Sequence, residues 1–139
     1  MRQPLGSPSS DEFFRNFITK YGEAWDEYDL ETILDYYHLP SFVFKEGHVF
    51  ANTTPDAKHR YFKDLVGTYE QERIVHADIP HFAEKSLGEN SALVTVEWVC
   101  KRADGSAGFD FWDPYLLIRV EGQWKILGDT VHDSAVDPA

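Results

Sequence analysis

The feature that most constrains the fold is a long run of strand-forming residues from Phe109 to Asp133. Its first part, 109–120, is rich in aromatic and β-branched residues, which fit a pleated, half-buried surface. Glu121 and Gly122 follow as a hairpin turn, because glycine readily adopts the positive φ of tight turns. Large apolar side chains lie on both faces of the outgoing strand. We therefore expect the rest of the chain to cover both faces of this hairpin.

Three apolar stripes at three- and four-residue spacing predict three helices ahead of the long strands. The first follows a possible capping box from Ser9 to Glu12. The second begins at the N-cap Asp29 and ends at Pro40, and the third begins with Pro55 near its first position. The stripes are Phe14, Phe17, Ile18, Tyr21, Ala24, Trp25 and Tyr28; Leu30, Ile33, Leu34 and Tyr37; and Tyr61, Phe62, Leu65, Val66 and Tyr69.

After Arg73 the apolar period changes to two, which predicts strands near 74–85, 91–102, 107–120 and 124–131. A smaller hairpin spans Phe42 to Phe50. The order predicts an α+β domain, with three helices from the N-terminal half packed on a curved, mostly antiparallel sheet of about six strands. We expect residues 11–133 to form this single domain, the Pro-, Gly- and Ser-rich residues 1–10 to be disordered, and 134–139 to be a tail.

Charge, hydropathy and cysteine content limit the partners and the cellular setting that the chain suits. The net charge of −11, from 24 acidic and 13 basic residues, argues against nucleic-acid binding. No apolar run is long enough to span a membrane, and no charged-then-apolar leader is present. The single Cys100 cannot form an internal disulfide, which favours a reduced, cytoplasmic setting. An aromatic content of 15% suits a lined cavity as well as a packed core.

The order of elements over 11–133 resembles the nuclear transport factor 2-like superfamily, also called the SnoaL-like or cystatin-like cone. The matching motifs are Tyr21…Trp25…Asp29-Leu30-Glu31, Ile33-Leu34-Asp35-Tyr36-Tyr37 and Gly122-Gln123-Trp124-Lys125-Ile126. The resemblance implies a sheet bent around a central pocket roofed by the helices, and a homodimer through the outer sheet face. The superfamily contains isomerases, dehydratases, epoxide hydrolases, polyketide cyclases and non-catalytic domains, so the motifs indicate fold more specifically than function.

Tyr21 is similar in position to the first-helix tyrosine of ketosteroid isomerase, which donates a hydrogen bond to the developing oxyanion. The general-base aspartate of that enzyme corresponds to Lys45 here, and its second oxyanion donor corresponds to Leu116. Ketosteroid isomerase activity is therefore not expected. Tyr21 could also be a core aromatic whose hydroxyl bonds a backbone carbonyl.

Asp129 resembles the last-strand aspartate that polyketide cyclases and limonene-type epoxide hydrolases direct into the pocket. A carboxylate in an apolar cavity has a raised pKa and can act as an acid or a base. The alternative is an aspartate at the rim, paired with Lys or Arg.

Glu97 lies in a strand, on one face with Thr95 and Val99 by alternation. The resemblance places it where epoxide hydrolases carry an arginine, so that activity is not expected either. If Glu97 and Asp129 both face the pocket, they form a coupled carboxyl pair. The alternative for Glu97 is a solvated or dimer-forming face.

Asp113 precedes Pro114 inside the longest strand, and proline removes a ladder donor. The sequence therefore predicts a bulge that turns Asp113 into the pocket, with a simple strand irregularity as the alternative. His81 could transfer protons near neutral pH, or be a surface histidine. None of the six histidines shows a metal-binding spacing, so neither a metal nor a cofactor is predicted.

These residues together predict cofactor-free proton transfer on a small, largely apolar molecule: isomerisation, aldol-type cyclisation or dehydration. Asp129 is the predicted acid or base, and Tyr21 polarises a carbonyl. The predicted pocket-lining residues are Trp98, Trp112, Phe111, Trp25 and Leu116. The alternative from another class is a non-catalytic ligand-binding or dimerisation domain.

Overall fold

The computed structural model describes residues 10–136. Disorder was predicted for residues 1–10. Residues 1–9, including Ser9 of the capping box, lie outside this range, whereas Ser10 is the first residue of a helix. In chain order the elements are α1 (Ser10–Asp26), α2 (Leu30–Tyr36), β1 (Tyr37–Lys45), β2 (His48–Asn52), α3 (Pro55–Gln71), β3 (Ile74–Ser86), β4 (Ser91–Arg102), β5 (Ala107–Val120) and β6 (Gln123–Val131). No helix within the described range is long and apolar enough to cross a bilayer.

The six strands form one sheet in the order β2-β1-β6-β5-β4-β3. Only the β1–β6 pair is parallel. The β5–β6 hairpin lies near the middle, and its turn has positive φ at Glu121 (53°) and Gly122 (79°), as a two-residue hairpin turn requires. The helices pack on one face of the curved sheet, here called the inner face. The predicted α+β fold is confirmed.

The second helix ends earlier than its apolar stripe suggests. Asp29 caps α2 as predicted, but the helix stops at Tyr36, and Tyr37 is the first residue of β1, opposite Ile126. Pro40 therefore lies inside β1 and does not end the helix. The pairing of β1 with β6 is irregular between Tyr37 and Phe42, which accommodates a proline that has no N–H to donate.

The predicted bulge at Asp113 is wrong in position. The β4–β5 pairing passes through Asp113 without a shift, so Asp113 reaches the inner face by simple alternation with Tyr115. The bulge lies in β6, where Ile126 faces Leu117 and Gly128 faces Leu116, which leaves Leu127 as the extra residue. Strict alternation from Ile126 would place Asp129 on the outer face. The bulge instead sets Asp129 opposite Tyr115, on the inner face.

The core fills the space between the inner face and the helices. Helix α1 contributes Phe14, whose ring meets Trp124 of β6 edge-on at 5.0 Å between centroids. Helix α3 contributes Phe62, whose ring lies 4.3 Å from that of Tyr37. The floor is made by fully buried side chains of β4, β5 and β6, including Val94, Val96, Leu117 and Ile126. Toward one end of the sheet this packing opens into a cavity.

Gly128 allows β6 to approach β1 closely, because a Cβ atom there would lie 2.8 Å from the carbonyl oxygen of Phe42. We expect Gly128→Ala to lower the free energy of unfolding by about 1–3 kcal/mol, as overpacking against rigid backbone does. Gly67, inside α3, has no atom within 4 Å of such a Cβ. Gly67→Ala should therefore be neutral or stabilise by up to about 1 kcal/mol. Urea denaturation measures both, and equal stability of Gly128→Ala and wild type would contradict the close approach.

Candidate functional site

A cavity of about 490 Å³ lies between the inner face of the sheet and helices α1 and α3. Its size is in the range of small-molecule sites. Ten aromatic side chains contribute to its described lining: Tyr21, Trp25, Tyr37, Tyr61, Phe62, Tyr69, Trp98, Phe109, Phe111 and Tyr115. The apolar walls hold a small number of polar groups, which determine what the cavity can bind or transform.

Two carboxyl groups, Asp113 of β5 and Asp129 of β6, face each other across neighbouring strands in this cavity. Asp113 is only 4% exposed. Asp129 is less buried as a whole residue, but its Oδ1 atom is shielded from solvent. Neither Oδ1 accepts a hydrogen bond from any described donor. The structure therefore places two adjacent acidic groups where charge is costly.

Burial raises the pKa of both carboxyls. The pKa of Asp113 is raised well above its usual value, first by burial and then by the nearby charge of Asp129. Burial raises the pKa of Asp129 to about 6, while a hydrogen bond with Asp113 opposes that rise. Asp113 is therefore the protonated partner near neutral pH and donates to the Asp129 carboxylate. A hydrogen bond with Tyr115, whose hydroxyl accepts from Trp98 Nε1 at 2.9 Å, acts against the rise at Asp113.

Two tyrosine hydroxyls form the second polar group of the cavity. The hydroxyl oxygens of Tyr21 on α1 and Tyr37 on β1 lie 2.5 Å apart, so one hydroxyl donates to the other. Both residues are 4% exposed. Burial raises the pKa of each phenol, and the charge of Asp129 adds to this rise. Both therefore stay protonated at neutral pH, and the hydroxyl that accepts in this pair keeps its own proton to donate to a ligand oxygen.

Six of the predicted site residues lie in the cavity: Asp129, Tyr21, Asp113, Trp98, Phe111 and Trp25. Four others, predicted as catalytic or pocket-lining, do not line it: Glu97, His81, Trp112 and Leu116.

Strand alternation explains why predicted site residues lie outside the cavity. Since Trp98 and Asp113 point inward, their neighbours Glu97 and Trp112 point to the outer face. There, His81 Nδ1 lies 2.6 Å from Glu97 Oε1, and the His81 ring stacks on Trp112 at 5.2 Å. Leu116, between the inward-facing Tyr115 and Leu117, shares that outer face. The predicted Glu97–Asp129 pair is thus replaced by Asp113–Asp129.

The sequence interpretation missed the roles of Tyr37, Tyr115 and Lys45. Alternation with Asp113 would have grouped Tyr115 with the site, whereas Tyr37 fitted a helical stripe and gave no local signal of a strand. Lys45 is exposed at the end of β1, and it also lines the open end of the cavity. Its positive charge acts weakly against the raised pKa of Asp113. No metal-binding cluster of His, Cys, Asp or Glu occurs within residues 10–136.

A family model described as "NTF2-like protein (DUF6841)" matches residues 11–134. The chain belongs to this family. No curated protein matches the sequence.

Solved structures share the fold at low sequence identity. An NTF2-like protein with a cystatin-like fold from Novosphingobium aromaticivorans is 14% identical, with a TM-score of 0.69 over 87% of this chain and 79% of that one. Aln2 from a Streptomyces species is 13% identical, with a TM-score of 0.73 over 93% and 94%. A protein of unknown function with a cystatin-like fold from Nostoc punctiforme is 9% identical, with a TM-score of 0.73 over 97% of both chains. At these identities the likeness shows the fold.

The carboxyl pair makes stability depend on pH. Because the pKa values of Asp113 and Asp129 are raised in the folded chain, the folded state binds more protons than the unfolded state above pH ~4. Stability contributed by the pair therefore falls as pH rises from about 4 through the folded pKa values. We expect Asp113→Asn/Asp129→Asn to be more stable than wild type at pH 7 by about 1–3 kcal/mol, with the difference vanishing near pH 4.

The measurement is urea denaturation across this pH range. Asp64→Asn changes a carboxyl on the exposed side of α3 and should follow the wild-type pH dependence. An unchanged pH dependence in the double variant would show that the pair is not desolvated.

Proposed function

We propose that this chain catalyses cofactor-independent proton transfer on a small, mainly apolar molecule that bears a carbonyl group. The observation that carries the proposal is the juxtaposition of the Asp113–Asp129 carboxyl pair and the Tyr21–Tyr37 hydroxyl pair in one aromatic cavity. A base is most effective when its pKa lies near the working pH, and burial moves the pKa of Asp129 in that direction.

Each polar group has a role in such a reaction. Asp129 removes a proton next to the carbonyl, and the protonated Asp113 holds the Asp129 carboxylate in place. Tyr21 or Tyr37 donates a hydrogen bond to the oxygen on which negative charge develops. The apolar walls exclude water, which strengthens these electrostatic interactions. Isomerisation, aldol-type cyclisation and dehydration all begin with such a proton removal.

A non-catalytic ligand-binding domain is the alternative. It is supported by the hydrogen bond between Tyr21 and Tyr37, which uses the proton of one hydroxyl and leaves only the other hydroxyl to donate to a ligand. A binding cavity needs only shape and a few polar contacts. The two functions differ in whether a bound carbonyl compound loses a proton.

The exchange of α-protons of 2-tetralone in D₂O, followed by NMR, tests for proton removal. Wild type should accelerate exchange over buffer, with a rate that increases as pH rises through about 6, since Asp129 is the base only when ionised. Asp129→Asn should reduce the rate by about 100-fold or more, and Tyr21→Phe by about 10-fold or more. Tyr36→Phe is the matched control, because the Tyr36 hydroxyl lies outside the described lining of the cavity.

Exchange at the buffer rate would contradict the catalytic proposal. If 2-tetralone then still bound to wild type, the alternative of a ligand-binding domain would replace it.

We also propose that the chain forms a homodimer through the outer face of the sheet. Phe42 and Phe44 of β1 are 40% and 43% exposed, and Val49 of β2 is 67% exposed. Together with Trp112 and Leu116 they give this face an apolar surface, of the kind that marks interaction sites.

Charge placed on the outer face should separate the dimer. We expect Phe44→Glu to weaken dimerisation by at least about 10-fold, because a buried unpaired carboxylate is costly at an interface. Leu87→Glu is the control, since Leu87 is 48% exposed but lies at the β3–β4 turn. Sedimentation equilibrium measures both variants. A monomeric wild type, or equal effects of the two substitutions, would contradict the proposed interface.

A further inference from the structure

We propose that the ligand of the cavity carries a positive charge, as a protonated amine on a flat apolar body, and that the cavity rejects carboxylates and phosphates. This inference rests on the site of the proposed function and names the class of substrate that it takes.

The first observation is the charge of the cavity lining. Five carboxyl groups line its described part, but only one amine does. Glu46, Asp110 and Asp133 are exposed, and Asp113 and Asp129 lie inside. The amine is Lys45, which is also exposed and adjoins Glu46 in sequence. An anionic ligand therefore meets negative charge at the entrance and again inside, whereas a cation is attracted along the same path.

The second observation is an unpartnered buried oxygen. Asp113 is 4% exposed and lines the cavity, yet its Oδ1 accepts no hydrogen bond from a described donor, and neither does Asp129 Oδ1. Buried acceptors without donors are costly, so a ligand that supplies N–H groups gains their full interaction. An ammonium group brings three donors and a charge, which makes each hydrogen bond to a carboxylate stronger. A ligand with only acceptor atoms leaves both oxygens unsatisfied.

The third observation is the arrangement of the aromatic walls. The ring of Tyr69 lies 4.8 Å from that of Trp25 and 5.1 Å from that of Phe109, between centroids. Aromatic faces attract cations and also pack well against a flat apolar body. The cavity thus combines carboxyl oxygens inside with aromatic walls around them.

Binding of such a cation balances the charge of the carboxyl pair. Without ligand, Asp113 and Asp129 share one proton near neutral pH, so the pair carries one negative charge. The ammonium group supplies one positive charge beside it, and Asp113 keeps its proton. The pair and the ligand are together neutral.

The experiment compares three probes that share an indole ring and differ in charge: tryptamine, tryptophol and indole-3-acetate. Isothermal titration calorimetry at pH 7 should give tryptamine an affinity at least about tenfold higher than that of tryptophol, with indole-3-acetate the weakest. Asp113→Asn/Asp129→Asn should bind tryptamine and tryptophol about equally. Asp64→Asn, outside the described cavity lining, should keep the wild-type order.

Equal affinities for the three probes, tightest binding of indole-3-acetate, or no binding of any probe up to about 10 mM would overturn the inference. If the double variant does not fold, Asp113→Asn alone must still lower the preference for tryptamine over tryptophol. The outcome is separable from that of the proposed function. Exchange of 2-tetralone protons without amine preference would leave proton transfer standing, and amine preference without exchange would leave only the ligand class.

Discussion

The burial of two carboxyl groups side by side is the constraint on which the rest of the structure depends. A lone buried carboxylate is expensive, and a second one beside it adds repulsion. The chain tolerates the pair because one proton is shared and because the hydroxyl of Tyr115 hydrogen-bonds Asp113. The free-energy cost of burying the pair is offset by the packing of the surrounding core, whose floor in β4, β5 and β6 is fully buried.

The residues that support the core also form the walls of the site. The Tyr21 ring is in edge or tilted contact with five other aromatic rings: Trp25, Tyr36, Tyr37, Trp98 and Tyr115. Gly22, the next residue of α1, lies against Trp98, where an added Cβ would approach the ring to 3.0 Å. Removing a ring from this cluster would therefore change the packing of the core and the shape of the cavity together, whereas removing a single hydroxyl would change mainly the polar groups of the cavity. Natural proteins often retain arrangements that lower stability, as the buried carboxyl pair does here, at functional sites.

Much of the fold followed from the sequence, because long periodic segments carry strong signals. The central hairpin, the three helices and the order of elements along the chain were predictable, and Tyr21, which the resemblance directs to the pocket, lines the cavity. The sequence did not show which face of each strand points toward the core. Alternation shows which residues share a face, but it cannot show which face is inward when an extra residue intervenes, as Leu127 does before Asp129. Glu97 was grouped with Asp129 through the resemblance to epoxide hydrolases, although its side chain lies on the outer face.

The placement of the four tryptophans gives the chain an internal optical reporter. Trp25 and Trp98 line the cavity, whereas Trp124 packs on α1 and Trp112 stacks on His81. The Trp98 indole N–H is held by the Tyr115 hydroxyl, next to the carboxyl pair, so its emission is sensitive to the polarity and charge around it. Filling the cavity changes the surroundings of two indoles and leaves the other two as an internal reference. Occupancy of the unmodified chain can thus be followed by its own fluorescence, without a label and without knowing the ligand in advance.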